Sequence, residues 1–78
     1  MSNEKSEKSK EYMGTVKWFD EKKGYGFVRT QDIENDIFVH YKHILLDGYR
    51  TLVKNELVVF EVTPTSRGLM ATKVRKVQ

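Results

Sequence analysis

The sequence contains no cysteine, so disulfides, zinc-thiolate centres and thiol catalysis are all excluded, and nothing in it depends on an oxidising compartment. It has no long apolar run and no apolar signal core near its start, so membrane spanning and secretion are unsupported; a soluble protein of a reducing cytoplasm is expected. Apolar residues nowhere recur at helical spacing over three turns, which argues against an all-helical or doubly wound architecture. An excess of one charge is also nearly missing. Fourteen Lys and Arg face eleven Asp and Glu, and the resulting +3 is only a modest hint of a polyanionic partner. The first eleven residues carry three Lys and three Glu, which cancel, so the whole excess belongs to residues 12–78.

What is present is a chain of 78 residues, enough for one small domain that buries only ~60% of its unfolded surface. Met1 to Glu11 is built from Ser, Glu, Lys and Asn and reads as a disordered tail; the folded domain is expected over 12–78. From Tyr12 onward short strands alternate with turn chemistry, at about 14–20, 24–30, 36–41, 56–63 and 68–76. Asp20 to Gly24 and Gln31 to Asn35 are polar turns, Pro64 and Gly68 bracket another, and the one long connection runs from Tyr41 to Glu56 with a single helical turn near its start. Val58, Phe60 and Val62 give the fourth strand a clear core face. Ala71 and Val74 are wrongly spaced to share a face unless a bulge intervenes. Five short strands in so short a chain suit a small antiparallel barrel, whose closure removes aggregation-prone edges.

Two runs carry the chemistry. In Lys23-Gly24-Tyr25-Gly26-Phe27-Val28, strand alternation sets Tyr25, Phe27 and Arg29 against Gly24, Gly26 and Val28; in Ile37-Phe38-Val39-His40-Tyr41 it sets Phe38 and His40 against Ile37 and Val39. If the aliphatics face the core, the rings face solvent, which is costly unless something stacks on them. A nucleic-acid base needs a flat ring, room to approach and nearby positive charge; the glycines beside Tyr25 give room, and Lys22, Lys23 and Arg29 give charge. The competing reading, ordinary barrel core, is opposed by the alternation. The first run also matches the opening of the RNP1 motif, but Thr30 stands where that motif wants an aromatic and no amphipathic helix is available to back a four-stranded sheet.

Together with Gly14-Thr15-Val16-Lys17-Trp18-Phe19, these runs resemble the bacterial-type cold-shock proteins, over about residues 13–77. The resemblance implies an all-β, five-stranded antiparallel barrel of the OB type that binds single-stranded RNA and DNA as a monomer, and an RNA chaperone role. It implies stacking by Trp18, Tyr25, Phe27, Phe38, His40, Tyr41 and Tyr49, and backbone or base-edge contacts by Lys17, Lys23, Asp36 and Arg67. Strict alternation would put Trp18 on the face of Val16, whereas the resemblance implies an exposed indole with Phe19 turned inward, which requires an irregularity in the first strand. Lys42-His43, Leu69-Met70 and Asp20 depart from the family pattern.

No nucleophile-base pair, paired acids or full phosphate loop stands out, so no enzymatic activity and no cofactor are expected. His40 and His43 have an H-x-x-H spacing, but no third ligand is evident and no metal is expected. The rival to nucleic-acid binding is a protein-interaction barrel that offers the aromatic face to extended peptides.

Overall fold

Alternating aliphatics in the second, third and fourth strands and breaks in alternation in the first and fifth define where the chain turns inward. The structure, a computed structural model, describes residues 10–45 and 51–77. Its strands are β1 (Glu11–Asp20), β2 (Tyr25–Thr30), β3 (Ile33–His40), β4 (Leu57–Thr65) and β5 (Gly68–Lys76), with a 3-10 turn at Tyr41–His43 between β3 and β4. They close into a barrel in the order β1-β2-β3-β5-β4, with β4 returning to β1.

Four seams are antiparallel and the fifth, between β3 and β5, is parallel. This follows from number alone. Strand direction must reverse at every antiparallel seam, so a closed ring with an odd number of strands must contain at least one parallel pair. The expected antiparallel barrel therefore holds everywhere except at this joint, which links Phe38 to Met70 and Val39 to Ala71 and continues as a bridge between Ile44 and Val74.

The core is filled by the aliphatics the alternation selects: Val28 from β2, Ile37 and Val39 from β3, Val58 and Phe60 from β4, all fully buried. Tyr12 stacks on Phe60 at 6.3 Å between centroids and closes one end. Two irregularities make the remaining core positions fit. In β1 the register shifts between Val16 and Trp18, so that Lys17 is an extra residue and Val16 and Phe19 both face inward while Trp18 turns out. In β5 the register shifts opposite Val59 and Glu61, and Lys73 takes a left-handed φ of 50°, which brings both Ala71 and Val74 into the core. That is the bulge their spacing demanded.

Strand ends differ from the sequence expectation by two or more residues in three places, one of them the end of β4, which runs through Pro64 to Thr65, so that Pro64 pairs with Leu69 instead of opening the turn. β1 starts at Glu11, where Glu11 pairs with Glu61 on β4 and its carboxylate accepts hydrogen bonds from the Arg75 guanidinium at 2.9 and 3.3 Å. Those bonds hold the Glu11 carboxyl below its ordinary range and raise Arg75 in return. Of the expected tail, Lys10 is exposed and outside the strand, and residues 1–9 lie outside the described residues. β3 starts at Ile33 rather than Asp36, because Ile33 packs on the core and pairs with Thr30, and the ladder absorbs two extra residues before Ile37. Among the described residues no helix is long and apolar enough to cross a membrane.

Candidate nucleic-acid interface

The pairing of β2 with β3 sets Tyr25 opposite His40 and Phe27 opposite Phe38, while Gly26 opposes Val39 and Val28 opposes Ile37. Because the second set is buried, the first set faces out, and four rings lie side by side on one surface. Phe38 sits 5.7 Å from Tyr25 and 5.8 Å from Phe27 between centroids. The β1 bulge sets Trp18 opposite Phe27, so the indole joins the same surface at 5.4 Å from Phe27 and 5.9 Å from Tyr25. Aromatic pairs of this kind are worth about 0.5–1.5 kcal/mol each. They hold the rings in place before any ligand arrives, so a stacking partner pays little side-chain ordering entropy.

The surface depends on a glycine beneath it. A Cβ at Gly26 would stand 2.1 Å from the Trp18 carbonyl oxygen and 2.6 Å from the Phe19 Cα, so β1 and β2 reach this close approach only without a side chain there. The turn before it is built by Asp20, whose carboxylate accepts the backbone N–H groups of Lys22 and Lys23 while its carbonyl accepts that of Gly24. Asp20 therefore holds the turn through both its side chain and its backbone. Gly24 has φ 79°, and the Tyr41 ring lies directly over it. Tyr41 is further fixed by its N–H bond to the Gly24 carbonyl and by a 4.7 Å contact with the His40 ring. His40 Nδ1 accepts the Lys42 N–H at 3.2 Å. Among the described residues no group of three His, Cys, Asp or Glu comes together to hold a metal ion.

Charge borders the rings on two sides. Lys17 and Arg29 both pair with Asp36, at 2.5 and 3.8 Å. These pairs are exposed and worth little, about 0–1 kcal/mol, so an incoming phosphate competes with Asp36 on nearly equal terms. Lys23 is exposed in the β1–β2 turn. On the other side Arg67, in the β4–β5 turn, lines an open groove of about 390 Å³ together with Phe27, Phe38, Thr65, Leu69 and Met70.

Of the residues the sequence singles out, the structure brings Trp18, Tyr25, Phe27, Phe38 and His40 onto one face, with Tyr41 beside His40, Lys17 and Asp36 at one border and Arg67 across the groove. Tyr49 lies outside the described residues. Leu69 and Met70 were not legible as site residues: they stand beside Phe38 only because β5 joins β3, a pairing between distant segments that local patterning does not reveal.

A family model described as the 'Cold-shock' DNA-binding domain matches residues 12–77. The chain is 48% identical over 64 residues to a probable cold shock protein A of Mycolicibacterium smegmatis, covering 82% of this chain and 96% of that protein. It is 44% identical over 64 residues to a cold shock-like protein of Aquifex aeolicus, covering 82% and 91%. Among solved structures it is similar to the Drosophila Unr CSD456 structure, with a TM-score of 0.76 and 24% identity; the match covers 95% of this chain and 29% of that one, and establishes likeness of fold.

Proposed function

The chain belongs to the cold-shock domain family, a family of nucleic-acid-binding proteins, and from that premise we propose that it binds single-stranded RNA and DNA by stacking bases on Trp18, Tyr25, Phe27, Phe38 and His40. The observation that carries this reading is the register of β2 on β3, which turns Tyr25, Phe27, Phe38 and His40 outward while burying Val28, Ile37 and Val39. Each stacked base contributes about 1–3 kcal/mol, and every base has a π face, so affinity accrues without a sequence code. Duplex bases are already stacked on one another and cannot use the surface. Lys17, Lys23 and Arg67 supply phosphate contacts at its borders, Tyr41 extends it, Tyr49 serves as a further stacking ring, and Asp36 takes a base-edge contact when phosphate displaces it from Lys17.

Selective binding of the open strand gives an RNA chaperone that needs no ATP. A hairpin's melting equilibrium shifts by RT ln(1 + [L]/Kd), where [L] is the free protein concentration, so a protein present well above its Kd holds transcripts unpaired by mass action. We place this activity in the cytoplasm, in a monomer without catalytic function. The test is a titration of Trp18 fluorescence with single-stranded oligonucleotides, the matching duplex and a proline-rich peptide. Quenching by the single strands alone is expected. Failure of every single strand to quench would refute the stacking reading, and a response to the peptide instead would favour a protein-interaction barrel.

A further inference from the structure

Beyond Trp18 the ring surface ends, but the cleft beside it does not. An open cleft of about 280 Å³ lies between β1 and the turn leading into β4, lined by Trp18 and Lys17 on one wall and by Lys54 and Asn55 on the other, with Arg29 at its side. The turn is rigidly mounted. Asn55 N–H donates to the Val16 carbonyl at 2.7 Å and Val16 N–H donates to the Glu56 carbonyl at 3.0 Å, tying the turn to β1 just before the bulge. Within it Glu56 N–H donates to the Val53 carbonyl, and Val53 N–H donates to the Glu56 carboxylate, both at 2.9 Å. Asn55 takes the left-handed φ of 71° that this tight reversal requires.

Three cations therefore converge on the cleft, and they are not equivalent. Lys17 and Arg29 share Asp36, the one carboxylate among the described residues that faces them in an ion pair, while Glu56 is turned toward Lys76 at 3.1 Å. Lys54 is exposed and makes no salt bridge among the described residues. A net positive cleft that opens at the edge of a stacking indole suits the sugar-phosphate of a strand continuing past that indole.

Building on the stacking reading, we propose that the nucleic-acid track extends past Trp18 into this cleft, where Lys54 binds the phosphate of one further nucleotide. Chain continuity favours a strand over a free anion: a base stacked on Trp18 delivers its neighbouring phosphate to the cleft at high effective concentration. For single strands each neutralised phosphate contributes about 0.7 to the slope of log affinity against log salt, which is roughly a fivefold gain at 0.1 M over 1 M salt.

The experiment compares wild type, Lys54→Gln and Lys54→Arg in Trp18 quenching by oligothymidylates lengthened one nucleotide at a time, from about four to about ten, at several salt concentrations. Lys54→Gln is expected to lose about fivefold in affinity at 0.1 M salt, with a slope shallower by about 0.7, only for strands long enough to pass Trp18; Lys54→Arg retains the wild-type behaviour. An equal loss at every length would show a diffuse field effect, and no loss at any length would show that the cleft is unused; either overturns the proposal. Absence of quenching of the wild type by all strands would instead overturn the stacking reading beneath it.

Discussion

Replacing Phe38 by Ala separates a ring that binds from a ring that holds the barrel together. Phe38 occupies the middle of the surface, touching Tyr25 and Phe27, with its outer face open to the groove. Truncating a fully enclosed Phe costs about 3–5 kcal/mol, much of it for the cavity left behind. Phe38 is only half-buried, so its removal opens no closed cavity; what is lost is two ring contacts of about 0.5–1.5 kcal/mol each. A stability loss of about 1–3 kcal/mol follows, tolerable for a domain whose total is of order 5 kcal/mol. Binding loses one stacking platform, about 1–3 kcal/mol, or roughly 5- to 150-fold in Kd. Phe60 is the internal comparison: with no exposed surface, Phe60→Ala carries the full core cost and brings the domain close to unfolding. Urea denaturation and oligothymidylate titration of both variants, each followed through Trp18, measure the two quantities with one signal. If Phe38→Ala unfolded the chain, or bound as tightly as wild type, the assignment of an outward stacking ring would be wrong.

Two further outcomes rest on the fold. Gly26→Ala drives a methyl into the Trp18 carbonyl and the Phe19 Cα, which are backbone and cannot swing aside, so β1 must move off β2. A loss of about 3 kcal/mol is expected, lowering Tm by roughly 12–24 °C, and an unchanged Tm in thermal unfolding would contradict the close approach. Hydrogen bonding to Arg75 lowers the Glu11 pKa from its ordinary value of 4.5, so the stability this pair adds is complete well above that pH and disappears as pH falls through the lowered value. The gap in urea midpoint between wild type and Glu11→Gln should therefore be small but measurable at neutral pH and close on acidification, whereas a gap independent of pH would show that the ion pair is not its source.

The orientation of Tyr25, Phe27, Phe38 and His40 was legible from two-residue alternation, because those strands are locally regular and their aliphatics leave no doubt about the inner face. Trp18 was not. Counting from Val16 points the indole inward, and only the extra residue at Lys17 reverses it; the family resemblance carried that information where periodicity failed. Ala71 and Val74 announced their bulge through a spacing conflict, but its position at Lys73 did not show in the sequence. Whatever depends on distant segments meeting stayed hidden: Glu11 at the start of β1 meets Arg75, Met70 reaches Phe38 through barrel closure, and Lys54 comes to line the cleft beside Trp18 through a turn tied to β1. Where a strand is regular, local patterning fixes which way a side chain points, whereas its neighbours across the barrel are fixed by topology.

The parallel joint between β3 and β5 has a mechanical meaning. It divides the barrel into a three-stranded meander, β1 to β3, and a hairpin, β4 with β5, that face each other across the short pairing of Phe38 with Met70 and Val39 with Ala71. The rings of the meander form one jaw and Arg67, Leu69 and Met70 of the hairpin form the other. Behind the groove the halves are tied by the β1–β4 seam and the Ile44–Val74 bridge, so what adapts to the ligand is Met70, whose unbranched thioether reshapes to what lies between. Purines and pyrimidines differ mainly in width. A grip lined on one side by so adaptable a side chain suits both, so tolerance of either base would follow from the residue that β5 brings against Phe38 as much as from the rings themselves.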